Sequence, residues 1–358
     1  MKVLFVCGTW NENGGKLSKV CDTIYNKLKE CFTTQIFNGG YLETLGVLAD
    51  ISIYYDIVIW FPNISNKVAA KYVEQIKRKN HKCLLVASKR NDGKYSLADL
   101  IHRALGIKAN LFVEFKKEDR IFGRVIDPLG NMFIDWTEDI GKIGEAITKR
   151  LITISSFSRV GSVKVGEIVN IPDNQEFFTL VRRAADEFHK LIEKPANPSR
   201  FLGNASFRCM YGFPSFRKDG LIYVSRRNVD KCNISRDSFI AVKEGISNKV
   251  EYFGDVKPSV DTPIQVRLYS YYKYINYIIH GHVYLKHFPY TKIAIPCGAI
   301  DEFDEIVNHF PNPDYTFFGV NLKGHGFVLL SQKLPHIAGV IDGKGFMRRP
   351  MPEACYEG

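Results

Sequence analysis

The sequence predicts an α/β protein of two domains in tandem, and three features of its 358 residues predict it. Residues 1–152 alternate short apolar runs with amphipathic stretches, the pattern of a mostly parallel sheet flanked by helices. Between residues 153 and 174 that alternation lapses into a Ser/Gly/Val-rich stretch, read as a linker. Beyond it, an amphipathic helix leads into a largely β segment, and residues 175–342 form the second domain, with 343–358 as a tail.

In chain order, residues 3–7 make the first strand. A Gly/Asn-rich turn over residues 7–15 then opens a helix whose buried face is Leu17, Val20, Cys21, Ile24 and Leu28. Residues 56–61 and 82–87 read as buried strands separated by a helix over 66–79, and 111–115 as a further strand. Two apolar arms flank Asp127-Pro128-Leu129-Gly130, whose proline favours a hairpin. The expectation is a doubly wound core, Rossmann-like or flavodoxin-like. Its first turn has the composition to hold a phosphate at a helix N-terminus, yet it is neither G-x-G-x-x-G nor a lysine-bearing P-loop. A nucleotide or nucleotide-sugar site and a purely oligomer-organising domain are both open.

In the second domain, residues 176–193 place Phe177, Val181, Ala184, Phe188 and Leu191 on one helical face. The β-rich segment runs from 203 to 330, with helices near 263–274 and 301–308.

Composition removes several function classes. With 45% hydrophobic and 24% charged residues the chain is globular, neither disordered nor collagenous. It lacks an apolar run long enough for a membrane helix, and its N-terminus reads as a strand rather than a signal peptide, so a cytosolic protein is expected. Eight cysteines without a C-x-x-C argue against a disulfide framework or a four-cysteine zinc site. The net charge of +11 reads first as a basic exterior, next as affinity for an anionic substrate, and last as a nucleic-acid surface, since no zinc-finger or RNP-like segment accompanies it.

The sharpest chemical signal is His280-Gly281-His282, because residues two apart on a strand project from one face. Two imidazoles side by side suit a transition metal, although an isolated H-x-H is a weak motif. His325, between Gly324 and Gly326, offers a third ligand. Thr262, Pro263 and Gln265 read as a capping box that places Asp261 just before a helix N-terminus, as a metal ligand, a proton carrier or a solvated acid.

The order of segments over residues 175–335 resembles the class II aldolase/adducin superfamily. Gly203-Asn204-Ala205-Ser206-Phe207-Arg208 is similar to its G-N-[VLIA]-S-x-R element. Ile222-Tyr223-Val224-Ser225-Arg226 stands for I-T-P-[ST]-G, and residues 234–242 for the strand that follows. Lys257-Pro258-Ser259-Val260-Asp261-Thr262-Pro263 resembles K-P-S-S-[ED]-T-P, Ile279-His280-Gly281-His282 resembles V-H-T-H, and Lys323-Gly324-His325-Gly326 resembles [RK]-[NG]-H-G.

The resemblance implies an α/β/α domain in which His280, His282 and His325 hold a divalent ion, zinc foremost. It implies retro-aldol chemistry through an enediolate that the ion stabilises, in an aldolase or a sugar 4-epimerase. Asp261 stands where the aldolases carry a glutamate proton carrier and the epimerases an aspartate. Tyr284, Asp301 and Glu302 are the next choices for the proton. Gly203, Asn204, Ser225 and Ser259 match positions that bind a substrate phosphate, while Arg226 and Val260 replace a glycine and a serine. Arg226 in that subsite would suit a phosphate or a larger anion, so the substrate is expected to be a sugar phosphate or a nucleotide sugar. A homo-oligomer, a tetramer by family habit, is expected. The alternative within the superfamily is a non-catalytic scaffold of the adducin type, for which three metal ligands would have no use.

Overall fold

The computed structural model describes residues 1–192, 201–209, 220–245 and 249–349. The chain forms two compact units, one built on Met1–Thr153 and one on Ile154–Lys194 with Arg200–Pro350.

The first unit runs β1 (Lys2–Asn11), α1 (Lys19–Leu28), β2 (Thr33–Tyr41), α2 (Thr44–Ile51), β3 (Ile57–Asn63), α3 (Asn66–Lys79), β4 (Leu84–Arg90), α4 (Leu97–Gly106), β5 (Leu111–Lys117), β6 (Ile121–Ile126), β7 (Met132–Thr137) and α5 (Ile140–Ser156). Its seven-stranded sheet has the order β2-β1-β3-β4-β5-β6-β7. The first five are parallel, and the hairpin of β6 and β7 adds the antiparallel edge. Strand alternation divides the apolar residues between two faces. Leu4, Val6, Val58 and Leu85 pack with Leu45 and Leu48 of α2, Ile76 of α3 and Leu100 of α4. On the opposite surface Phe5 meets Phe61 edge to face, Cys7 lies against Cys21 of α1, and Lys27 of α1 pairs with Glu145 of α5.

Two expectations for this unit are corrected. β1 continues to Asn11, and the glycine-rich turn folds back along it, with the Thr9 N–H donating to the Lys16 carbonyl at 2.9 Å. The turn therefore does not open the helix. Ser18 caps α1 instead, which leaves Leu17 outside the helix and exposed, so the buried face is Cys21, Ile24 and Leu28, with Val20 half-buried.

The second unit contains β8 (Ser162–Gly166), α6 (Gln175–Leu191), β9 (Asn204–Arg208), β10 (Ile222–Ser225), β11 (Phe239–Glu244), β12 (Val250–Phe253), α7 (Thr262–Tyr271), β13 (Tyr277–Gly281), β14 (Tyr284–Leu285), α8 (Asp301–His309), β15 (Phe317–Leu322), β16 (Gly326–Ser331), α9 (Leu334–Asp342) and β17 (Phe346–Met347). Eight strands form a mixed sheet in the order β15-β16-β13-β9-β10-β11-β12-β8, and β14 pairs with β17 apart from it. β8, within the stretch read as a linker, is the edge strand, parallel to β12. One face is covered by α6 and α9, whose Phe177, Val181, Ile337 and Ile341 join Phe207, Phe239 and Phe327. The other is covered by α7 and α8, through Ile264, Leu268 and Ile306 against Val224, Val242 and Ile278. Among the described residues no helix is long and apolar enough to cross a membrane.

Candidate metal centre

β13 lies inside the sheet between β9 and β16, so its side chains alternate between two buried faces. Ile279 enters the core under α6 and α9, while Ile278 enters the core under α7 and α8. His280 shares the second face by the two-residue period. His282 follows just past the strand, and His325 stands in the tight connection from β15 to β16, where its N–H donates to the Leu322 carbonyl at 2.9 Å.

The structure brings the three rings together, with centroids 4.6 to 5.1 Å apart. All three are buried. His280 Nδ1 donates to the Phe327 carbonyl at 2.7 Å, and His325 Nδ1 donates to Glu302 Oε1 at 2.8 Å. Those bonds fix each ring's tautomer and turn Nε2 inward. His280 Nε2, His282 Nδ1 and His325 Nε2 are left buried without a hydrogen-bond partner. The three histidines each offer one donor atom within 4.8 Å of the others. Orphaned buried nitrogens are rare, and three converging on one point fit a cation bound by lone pairs.

At His280 and His282 the electrostatics agree with that fit. Burial, reinforced by the neighbouring His325, pushes the His280 pKa down to about 4, and burial with the other two imidazoles holds His282 well below the usual histidine range. Both present neutral nitrogen, the form a metal requires. At His325 burial works the same way, but the Glu302 carboxylate and Cys297 outweigh it and raise the pKa well above the ordinary value. The His325 ring therefore favours its protonated form, and its Nε2 proton must leave before that nitrogen can act as a ligand.

Asp261 is the N-cap residue of α7, and it is buried. Its Oδ2 accepts from Asn204 Nδ2 at 2.9 Å and lies 3.9 Å from His280 Nε2, and its Oδ1 accepts from the Cys297 thiol at 3.5 Å. The expected capping box does not form. The Thr262 hydroxyl donates to the Ser259 carbonyl at 2.7 Å, and the Gln265 amide donates to Asn204 Oδ1. The Asn204 amide oxygen is buried and takes the Gln265 amide as its donor, so the local capping rule yields to the buried amide network.

Asn204 connects the centre to the residues matched to a phosphate subsite. It is the register partner of His280 across β9 and β13, and its amide also reaches Ser259 Oγ at 3.2 Å. Ser225 Oγ accepts from the Ala205 N–H at 3.2 Å, and the Ser259 N–H donates to the Ser225 carbonyl at 3.3 Å. Gly203 has φ +79°, and a Cβ there would lie 2.7 Å from the His280 carbonyl, so only glycine fits. The Arg226 side chain is placed elsewhere. Its Nε donates to the Phe239 carbonyl at 3.3 Å, and it lines a cavity with Ile168, Ile240, Phe253 and Asp255, which Asn204, Ser225, Ser259 and the histidines do not border.

Of the other proton-carrier choices, Tyr284 accepts from the Gly324 N–H at 3.0 Å and Asp301 accepts from the Ser158 N–H at 2.9 Å. Glu302 is the partner of His325. Two contributors carry no sequence signal of their own, Cys297 and Lys231, and the signal at Gln265 points to a cap instead. Lys231 is buried, and burial lowers its pKa to about 8 against the opposing pull of Asp230 and Asp261.

No protein-family model matches the chain, and no curated protein does. Among the solved structures similar to the chain are two that match about half of it. YgbL from Klebsiella pneumoniae, named as a candidate aldolase/epimerase/decarboxylase, is 15% identical with a TM-score of 0.32, covering 47% of this chain and 84% of its own. An aldolase II superfamily protein from Pseudomonas syringae is 12% identical with a TM-score of 0.30, covering 50% of this chain and 82% of its own.

Proposed function

We propose that the second unit is a class II aldolase-like, metal-dependent lyase or sugar 4-epimerase that works by retro-aldol chemistry on a phosphorylated or nucleotide-linked sugar. The observation that carries this reading is the set of three buried imidazoles, each with an unpartnered nitrogen facing the other two. His280, His282 and His325 would hold a divalent ion, zinc foremost, whose Lewis acidity stabilises the negative charge developing on a ketose oxygen as the carbon–carbon bond breaks.

The chain's own groups do the rest. Phe327 and Glu302 hold the His280 and His325 rings in the ligand tautomer. Asp261 is steadied through Oδ2 by Asn204, which leaves Oδ1 to take or return a proton, with the Cys297 thiol as its present donor. Gly203, Asn204, Ser225 and Ser259 form the small, polar patch that accepts the substrate anion, and Asp261 acts on the buried Lys231 ammonium. For the first unit, the order 2-1-3-4-5 of its parallel strands supports a flavodoxin-like reading.

The test is elemental analysis of the purified protein, followed by a cleavage and epimerisation screen over ketose phosphates and nucleotide sugars. A divalent ion near one per chain and turnover abolished by chelation are expected. A protein that takes up no zinc, cobalt or manganese when supplied with them would overturn the reading.

A further inference from the structure

We infer that Cys232 is a nucleophilic thiol, activated by His189, at which this chain exchanges with small disulfides to carry a mixed disulfide. The inference is independent of the metal and of the activity proposed above. Cys232 sits in the one-turn helix Lys231–Asn233, and His189 in the last turn of α6. Its Sγ lies 2.9 Å from His189 Nδ1 and 3.9 Å from Nε2, so Nδ1 is the nitrogen that faces the sulfur. Both residues are half-buried, so neither is sealed from solvent.

The spacing suits proton transfer rather than coordination. Two ligands of one tetrahedral ion, at about 2.3 Å for sulfur and about 2.0 Å for nitrogen, stand about 3.5 Å apart, and this pair is closer. An imidazole so placed takes the thiol proton and leaves a thiolate, the reactive form. The resulting imidazolium is favoured by the Asp230 carboxylate, which has an oxygen within 4.8 Å of both partners, and by the negative end of the α6 dipole. Asp230 is held in place by the Cys232 N–H at 3.0 Å and by Asn233 Nδ2 at 2.8 Å. Asp186, one turn before His189, adds to the same field. Of the other charged groups on the two elements, Arg182 donates to the Ile234 carbonyl at 2.8 Å, Glu187 pairs with Lys190 at 2.6 Å, and Lys231 Nζ donates to the Phe201 carbonyl at 3.5 Å. In the exchange, a Cys232 sulfur lone pair attacks one sulfur of the disulfide, the new S–S bond forms as the old one breaks, and the departing thiolate takes the proton from His189. The Cys232 sulfur is oxidised as the departing sulfur is reduced, so no further oxidant enters.

The experiment treats the full-length protein with 2-hydroxyethyl disulfide over a range of pH, quenches in acid, and follows each cysteine by peptide mass spectrometry. Cys31, exposed in the first unit, is the reference thiol. At about pH 6 an ordinary thiol with a pKa of about 8.5 is under about 1% ionised, so Cys232 should react about tenfold or more faster than Cys31. His189→Asn keeps an amide near the Nδ1 position but cannot hold the proton. In that variant the Cys232 rate at the same pH should fall about tenfold or more and its pH profile should move up to the ordinary thiol range, with Cys31 unchanged. A histidine that only packs against the sulfur would leave the profile where it was. Thermal melting reports whether the variant folds, and if it does not, the wild-type profile decides alone. A wild-type Cys232 that stays unmodified or titrates in the ordinary range of about 8 to 9, or a profile unmoved in folded His189→Asn, would overturn the inference.

Discussion

Glu302 and His325 form a buried carboxylate–imidazole pair, Oε1 to Nδ1 at 2.8 Å, with each side chain less than 5% exposed. The carboxylate orients the ring and raises the basicity of the nitrogen opposite, as outer partners of metal-bound histidines do. Glu302→Gln keeps a hydrogen-bonding oxygen but removes the charge. Metal affinity should fall roughly 10- to 100-fold, measured by competition with a chromophoric chelator. Unchanged affinity would mean that the pair serves packing alone.

The imidazoles themselves should matter more. His280→Ala, His282→Ala and His325→Ala should each leave the purified protein with metal well below the wild-type content. For the wild type, adding zinc at about a hundred times its Kd should stabilise the fold by about 2.7 kcal/mol, read as a rise in Tm. Equal Tm with and without metal would contradict a site that exists only in the folded chain.

Asp261→Asn preserves shape and retains an oxygen for the Asn204 amide, so folding should be nearly unchanged. Turnover on the correct substrate should drop about a hundredfold or more, the size of effect expected for a lost general acid–base group. Full turnover in this variant would pass the proton to another group.

Acid should destabilise the metal-free protein through His280 and His282. Their folded pKa values lie below the ordinary 6.5, about 4 for His280, so between those limits the unfolded chain binds more protons and stability falls as pH falls. Glu302, raised by burial, and His325, raised by its Glu302 and Cys297 neighbours, act in the opposite sense. One imidazole kept unprotonated by the fold contributes at most about 1.4 kcal/mol per pH unit. Urea midpoints at pH 6.5 and 5 should separate accordingly, and His280→Gln should flatten the difference.

Assembly is the remaining expectation. A tetramer, or a pair of dimers, should appear by light scattering at micromolar concentration, and a monomer there would contradict it.

How far the sequence is legible depends on whether a residue acts through a periodic pattern. His280 and His282 can be read because a strand repeats every two residues, and the helices at 66–79 and 175–191 because apolar residues recur at three and four. β2, with the composition TTQIFNGGY, has no apolar run and lies half-exposed at a sheet edge, so nothing announces it. Thr262 and Gln265 satisfy a local capping rule that a buried amide network overrides. Glu302 and Cys297 reach the centre from a helix start and a turn whose positions only the folded chain defines.

The rung that sets Asn204 opposite His280 acts as a ruler. It ties Asn204 of the polar patch and His280 of the imidazole cluster to adjacent strands of one ladder, so the span between the two groups is built into backbone hydrogen bonds. A slip of one residue in that ladder would turn Asn204 to the far side of the sheet and take its amide away from Asp261. Gly203, pressed against the His280 carbonyl, leaves no room for a side chain at that edge. If the proposed anion site and metal site are both used, the reach between them is therefore a property of this sheet and not of a movable loop.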